Sequence, residues 1–279
     1  YATTGTLNMA DMARRPADPA AFGIYPALVS GLAAILLTVF ALKAGVVPFQ
    51  FWVPAAYRAA PAPVTAMLAG VVKKVGVYAI IRLYFMVFAA AAVPVSLPFV
   101  GGREFLSFFG PVLFVAASAS VLLGGFAAVS QPDLEGVLAH SSIAQIGFIL
   151  LPLAVAATVP DLRVLGVTAA LVYTVNHGLA KSMLYLVTGA VRSATGSTLL
   201  ADLGGLVEHD RVLSGAFLSG GLALVGIPPL AGFFSKLLVL DIAARAGSTL
   251  ALTIAVGGAI LTIAYVTRTW NAGFWGPPG

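Results

Sequence analysis

The chain contains no cysteine. Disulfides, thiolate metal sites and cysteine nucleophiles are therefore excluded. Charge is also scarce: 9% of the 279 residues are Asp, Glu, Lys or Arg, against about 25% in soluble domains. No acidic residue occurs between Pro19 and Gly102, a stretch that nevertheless carries lysines. No glycine-rich nucleotide loop, metal-ligand spacing or nucleophile–base pair is recognisable, so neither an enzyme active site, a metal nor a cofactor is expected. The net charge of +5 is spread along the chain and forms no basic run suited to nucleic acid.

What fills the chain instead is hydrocarbon. Sixty per cent of the residues are hydrophobic and the mean hydropathy is +1.01. Apolar runs of the ~20 residues that a membrane helix needs recur along the whole length. They are too long for barrel strands and do not alternate apolar with polar, so helices are expected. The fold class is an all-α polytopic membrane protein with about seven transmembrane helices, two of them broken. The spans are expected at 26–47, 63–89, 106–129, 137–159, 164–191, 212–241 and 249–269. They form one transmembrane domain over 26–269. Residues 1–25 read as a loop or interfacial segment, a Pro/Gly linker runs from Val93 to Gly102, and 270–279 read as a truncated tail. The chain starts at Tyr1 without a methionine and ends on Trp275-Gly-Pro-Pro-Gly279, which suggests a piece of a longer protein. Arginines fall almost evenly on the two sides. Arg14, Arg15, Arg103, Arg163 and Arg245 are on one, and Arg58, Arg192, Arg211 and Arg268 on the other, so orientation is not assigned.

Lysines inside hydrocarbon are costly and usually functional. Lys43 ends the first run, which continues through Gly45, Pro48 and Pro54. If the helix stops near Val47, Lys43 can reach the interface; if the membrane segment continues to Val53, it sits mid-way along a broken helix. Lys74 lies near mid-depth of the second span and shares a face with Tyr78 and Arg82 by four-residue spacing. Lys73 points about 100° away from it in an ideal helix. Gly70 and Gly76 allow a neighbouring helix to come close. In the fifth span Tyr173, His177, Lys181 and Tyr185 follow at four-residue intervals, with Asn176 beside them. Two potential cations one turn apart make sense in a hydrated proton path where one is neutral at a time. A metal reading of His177 is weak, because no other ligand is near it in sequence. Span four adds His140, Ser141, Ser142 and Gln145, whose hydroxyls serve readily as helix glue. Span six is broken at Pro228 and Pro229 and carries Ser235 and Lys236. Broken helices in two halves of a chain point to a transport site. Here the lysine precedes the prolines in one break (Lys43, Pro48) and follows them in the other.

With these residues in place, the chain resembles the proton-conducting antiporter-like subunits shared by Mrp-type sodium/proton antiporters and respiratory complex I. The resemblance rests on Lys43-Ala-Gly-Val-Val-Pro-Phe-Gln-Phe-Trp-Val-Pro54, Ala60-Pro-Ala-Pro-Val64 and Ala69-Gly-Val-Val-Lys-Lys74 with Tyr78 and Arg82. It continues in Ser142-Ile-Ala-Gln-Ile-Gly-Phe148, Asn176-His-Gly-Leu-Ala-Lys181 and Gly226-Ile-Pro-Pro-Leu-Ala-Gly-Phe-Phe-Ser-Lys236. It implies a complete subunit of about fourteen helices built on two inverted repeats, of which this chain resembles helices seven to thirteen. It implies a proton or cation pathway through Lys43, Lys74, His177, Lys181 and Lys236; the polar residues Tyr78, Tyr173, Ser142 and Gln145, read from their places on the helices, are expected to form a secondary polar path. Lys73 and His140 receive no role from it. Ala55 and Ala56 stand where the family often has Asp, and the family's helix-five glutamate partner of Lys43 is not in this chain.

Residues Thr6 to Ala10 are most similar to the D-type subunit of Mrp antiporters. The expected function is a proton-translocating subunit of a multisubunit sodium/proton antiporter. The partners would be other membrane subunits, the lipid bilayer, H+ and Na+, in a multi-pass plasma-membrane location. A proton-pumping subunit of NADH-quinone oxidoreductase or a related hydrogenase is the alternative, and a non-conducting structural subunit the second.

Overall fold

The computed structural model describes residues 1–89 and 105–277. The expected Val93–Gly102 linker and Arg103 lie outside them. Among the described residues the chain is helical with no strands, as expected of an all-α polytopic membrane protein. Nine helices organise the site. They are α1 (Pro26–Ala44), α2 (Trp52–Ala59), α3 (Ala62–Val87), α4 (Phe105–Ser130), α5 (Leu134–Thr158), α6 (Arg163–Thr195), α7 (Arg211–Val225), α8 (Ala231–Arg245) and α9 (Thr249–Trp275).

Five of these, α1, α3, α4, α5 and α9, are long and apolar enough to cross a membrane by length and composition. The other two expected spans are α6, which carries the polar stripe, and the α7–α8 pair, whose halves are 15 residues each. Residues 1–25 hold two short helices, Met9–Arg14 and Pro19–Phe22, each capped by a polar side chain: Asn8 accepts from the amides of Ala10 and Asp11, and Asp18 from that of Ala21. At the other end the expected tail from residue 270 is helical to Trp275. Its last turn is π-helical, and Phe274 stacks on both Trp270 and Phe217, so aromatic burial holds it to the bundle.

Helix α5 is the axis of the bundle: 94% of its most apolar stretch is buried, against 17% for α1. Small residues let α4 reach it. A Cβ on Gly124 would sit 2.5 Å from the amide nitrogen of Ala144, and one on Gly147 would sit 2.6 Å from the carbonyl oxygen of Ala117. Helix α1 lies at the edge, with Leu28, Leu32, Ile35, Leu36, Val39 and Leu42 exposed.

Two breaks interrupt the pattern, between α1 and α2 and between α7 and α8. Each begins at a glycine in the left-handed region, Gly45 (φ 66°) and Gly226 (φ 88°), where a side chain would be strained. Each also contains a cis peptide bond, Val47–Pro48 and Pro228–Pro229. Side chains take up groups that the first break frees. Trp52 Nε1 donates to the Leu42 carbonyl (2.8 Å), and the Val47 amide donates to Ser120 Oγ (3.0 Å).

One end of the bundle is fastened by polar contacts. Arg58 donates to Asp133 (2.7 Å) and to Gln131 (2.7 Å), Arg268 donates to the Gln131 carbonyl (2.7 Å), and Arg192 pairs with Glu135 (2.6 Å). Three arginines assigned to one side from the sequence, Arg58, Arg192 and Arg268, therefore meet at one end.

Candidate functional site

Backbone contacts at glycines position the site. Helices α3 and α6 cross where a Cβ on Gly178 would lie 2.9 Å from the Gly70 carbonyl oxygen, and a Cβ on Gly70 would strike Ser182 Oγ. Helices α3 and α1 cross at Gly76, whose Cβ would lie 2.7 Å from the Ala44 amide nitrogen and the Phe40 carbonyl oxygen. The close approach expected at Gly70 and Gly76 is thus present. The first crossing sets Lys73 and Lys74, one turn beyond Gly70, beside His177 and Lys181, which flank Gly178.

Helix α3 is not a uniform α-helix. Leu68–Val72 and Ile81–Val87 are π-helical, on either side of the α-helical Lys73–Ile80. Such wide turns are frequent at functional sites. The core-facing stripe of α3 runs through Lys73, Val77, Ile80, Ile81 and Tyr84. Lys73, which the sequence left without a role, is fully buried, and its ammonium has no hydrogen-bond partner among the described residues. Lys74 is buried beside it and donates to the Ala69 carbonyl in the first π turn.

His177 is fully buried, and neither ring nitrogen has a hydrogen-bond partner among the described residues. Its electrostatic neighbours are Lys74, Lys181 and Lys73. Lys181 is fully buried and donates to the Leu138 carbonyl (2.9 Å) and to Ser141 Oγ. From Ser141 a polar chain runs along α5. The Tyr265 hydroxyl interacts with Ser141, Gln145 and Thr262. Gln145 Nε2 donates to that hydroxyl (3.1 Å), and the Tyr173 hydroxyl donates to Gln145 Oε1 (2.6 Å). The Tyr173 ring stacks on Phe148, and the Lys236 ammonium lies 5.0 Å from the centre of the Phe148 ring, a cation–π contact. Lys236 has no hydrogen-bond partner among the described residues, and its stem packs against Gly226 in the second break. Lys181 and Lys236 are thus joined by buried side chains from α5, α6 and α9. Tyr265 and Thr262 went unnoticed in the sequence because a single Tyr and a Thr in an apolar span carry no pattern.

Several residues singled out in the sequence do not join this cluster. Lys43 sits in the last turn of α1, just before Gly45, and is exposed on the outer face with Leu36 and Val39. Tyr78 is 55% exposed, and Arg82 is exposed too. The four-residue spacing advances about 40° per step, so a stripe that starts buried at Lys74 turns outward by Tyr78 and Arg82. Ser142 is buried but bonds back to the Leu138 carbonyl (2.8 Å), a helix-internal contact. His140 is half-buried, with Nδ1 3.0 Å from the Gly136 carbonyl, near the arginine cluster rather than the lysines. A cavity of about 120 Å³ beside Pro48 has mostly apolar walls, including Leu37, Ala41, Val46 and Leu150. An apolar cavity of this kind does not hold ordered water.

A bundle of broken and unbroken apolar helices around buried, unpaired cations defines a class: a polytopic membrane subunit of the ion-transporting kind. Residues 1–262 match the NADH:quinone oxidoreductase/Mrp antiporter transmembrane family, and the chain belongs to that family. It is 31% identical over 276 residues to the D-type subunit of the Na(+)/H(+) antiporter of Alkalihalophilus pseudofirmus, covering 99% of this chain and 51% of that protein. It is 35% identical over 274 residues to the N-type subunit of the NADH-quinone oxidoreductase of Desulforudis audaxviator, covering 96% of this chain and 49% of that one. Among solved structures it superposes on a chain of the Mrp complex from Dietzia sp. with a TM-score of 0.81 and 32% identity, over 100% of this chain and 47% of that one. The chain spans about half the length of the curated relatives it matches.

Proposed function

We propose that this chain is the proton-carrying half of a subunit in a multisubunit monovalent-cation/proton antiporter, working in the plasma membrane with H+ and Na+ as its ions. The observation that carries the reading is the row of buried nitrogens Lys74, His177, Lys181 and Lys236, the last two joined through Ser141, Tyr265, Gln145, Tyr173 and the Phe148 ring. A buried cation without a counter-ion costs several kcal/mol, roughly, so such groups are readily switched between neutral and charged forms by a charge moving nearby. A proton entering at one end changes the cost of the next. The exposed Lys43 supports the second element of the reading. It faces away from the row, on the least covered helix, and suits a carboxylate supplied by the other half of the subunit.

The direct test is sodium-dependent proton flux in vesicles containing the complete complex. Flux that requires Na+ and is insensitive to quinone-site inhibitors is expected. Flux that follows quinone reduction and ignores Na+ would transfer the chain to the second reading, a proton-pumping subunit of an NADH-quinone oxidoreductase. The 35% identity to the N-type subunit of such an enzyme favours keeping that reading in view. Full flux in Lys74→Met, Lys181→Met and Lys236→Met alike would leave only a structural subunit.

A further inference from the structure

The two helix breaks share two backbone hydrogen bonds at matching positions. In the first, the Val46 amide donates to the Ala41 carbonyl (3.0 Å) and the Phe49 amide to the Val46 carbonyl (2.6 Å). In the second, the Ile227 amide donates to the Leu222 carbonyl (3.3 Å) and the Leu230 amide to the Ile227 carbonyl (3.0 Å). Each residue of the first stands at the same offset from its left-handed glycine as its counterpart in the second. A buried lysine also packs on each glycine. A Cβ on Gly226 would lie 3.0 Å from Lys236 Cδ; a Cβ on Gly45 would lie 2.9 Å from Lys73 Cε and 3.2 Å from Lys73 Nζ. Both ammonium groups are buried and have no hydrogen-bond partner among the described residues. Lys43, the lysine within the first break's own stretch, faces outward and does not occupy this position.

We propose that Lys73 is a proton-carrying residue, the counterpart at the first break of Lys236 at the second. The inference rests on the proton-path reading above and adds to it a residue that the path motifs do not supply. Lys73 lies on the core stripe of α3, against the broken end of α1 and within electrostatic reach of Lys74, His177 and Lys181. It is placed to exchange protons with Lys74 and with the His177–Lys181 pair at the inner side of that break. Its Nζ accepts a proton from one side and releases it to the other, and no other bond is made or broken.

The test uses the complete complex in vesicles, with flux divided by the amount of assembled complex. Replacing an unpartnered buried charge with an apolar side chain of similar volume leaves stability unchanged or raises it, so Lys73→Met should assemble. Its flux should fall about tenfold, ~1.4 kcal/mol of barrier, and Lys73→Gln should match it. Lys73→His, which can still exchange a proton, should recover part of the flux. Lys73→Arg, which cannot deprotonate, should not. Wild-type flux in Lys73→Met while Lys74→Met and Lys236→Met lose theirs would overturn the role of Lys73 and leave the path reading standing. Wild-type flux in all three would overturn both. Recovery by arginine would mean a fixed charge, and failure of both neutral variants to assemble would mean a structural lysine; either result also overturns the proposal.

Discussion

The two breaks share a backbone and differ in where their buried lysine comes from. At the second, Lys236 belongs to α8, the helix that starts at the break, and folds back over Gly226. At the first, the local lysine turns outward and the buried ammonium on Gly45 is delivered by a different helix. The backbone of a break is therefore specified locally, by glycine and proline, while its charge can come from any helix that passes closely enough. For α3 that approach depends on Gly76, which touches the backbone of α1 with no side chain between them.

Lys236→Met is the most forceful way to break the parallel. In the full complex it should lower flux about tenfold or more, at least ~1.4 kcal/mol of barrier, to the level expected of Lys73→Met. Unequal losses would show that one break dominates. Next comes the approach itself. Gly76→Val would force a side chain into the Ala44 and Phe40 backbone, which is overpacking worth about 1–3 kcal/mol or more. A lower melting temperature of the purified complex, with flux lost alongside it, is expected; an unchanged one would mean that α1 is free to move away. The two glycines then give a matched pair. Alanine in the left-handed region costs about 1–2 kcal/mol at either site. Gly45→Ala should be the worse, because its Cβ would also lie 2.5 Å from Val53 Cγ2, whereas the Gly226 Cβ meets nothing closer than 3.0 Å. Thermal unfolding of the two variants in parallel would rank them. The smallest effect is expected at Tyr78→Phe. The ring is outside the cluster, so flux and stability should change by no more than about 0.5 kcal/mol. A large loss of flux there would mean that a second path runs along the outer face of α3.

Much of this was visible in the residues. Length and apolarity located the unbroken spans, since a chain in lipid has little choice but helix. The breaks announced themselves as glycine followed by proline. The stripe Tyr173–His177–Lys181 could be read because α6 is an undisturbed helix whose spacing maps onto one face. The same arithmetic misjudged α3. There Lys74 lies at the edge of the buried face, so the 40° drift of each four-residue step carries Tyr78 and Arg82 outward, and the stripe that faces the core passes through Lys73 rather than Tyr78. Burial of Tyr265 was not legible for a different reason. It depends on α9 packing against α5, a contact far apart in sequence that no local pattern encodes.

The covered position of α5 bears on how the chain enters the bilayer. That helix is apolar enough to insert by itself, yet in the finished bundle it scarcely meets lipid. Its hydrophobicity suits crossing the bilayer, and its interior tolerates Ser141, Ser142 and Gln145 because in the bundle they are buried and hydrogen-bonded to protein groups. Helix α6 is in the opposite position. A lysine at mid-helix costs about 2.5–3.5 kcal/mol at insertion, and α6 is not among the helices apolar enough to cross unaided. Lys181 finds its acceptors on α5, at Leu138 and Ser141. Entry of α6 is therefore expected to depend on α5, whose Leu138 carbonyl and Ser141 hydroxyl offset the cost of burying Lys181.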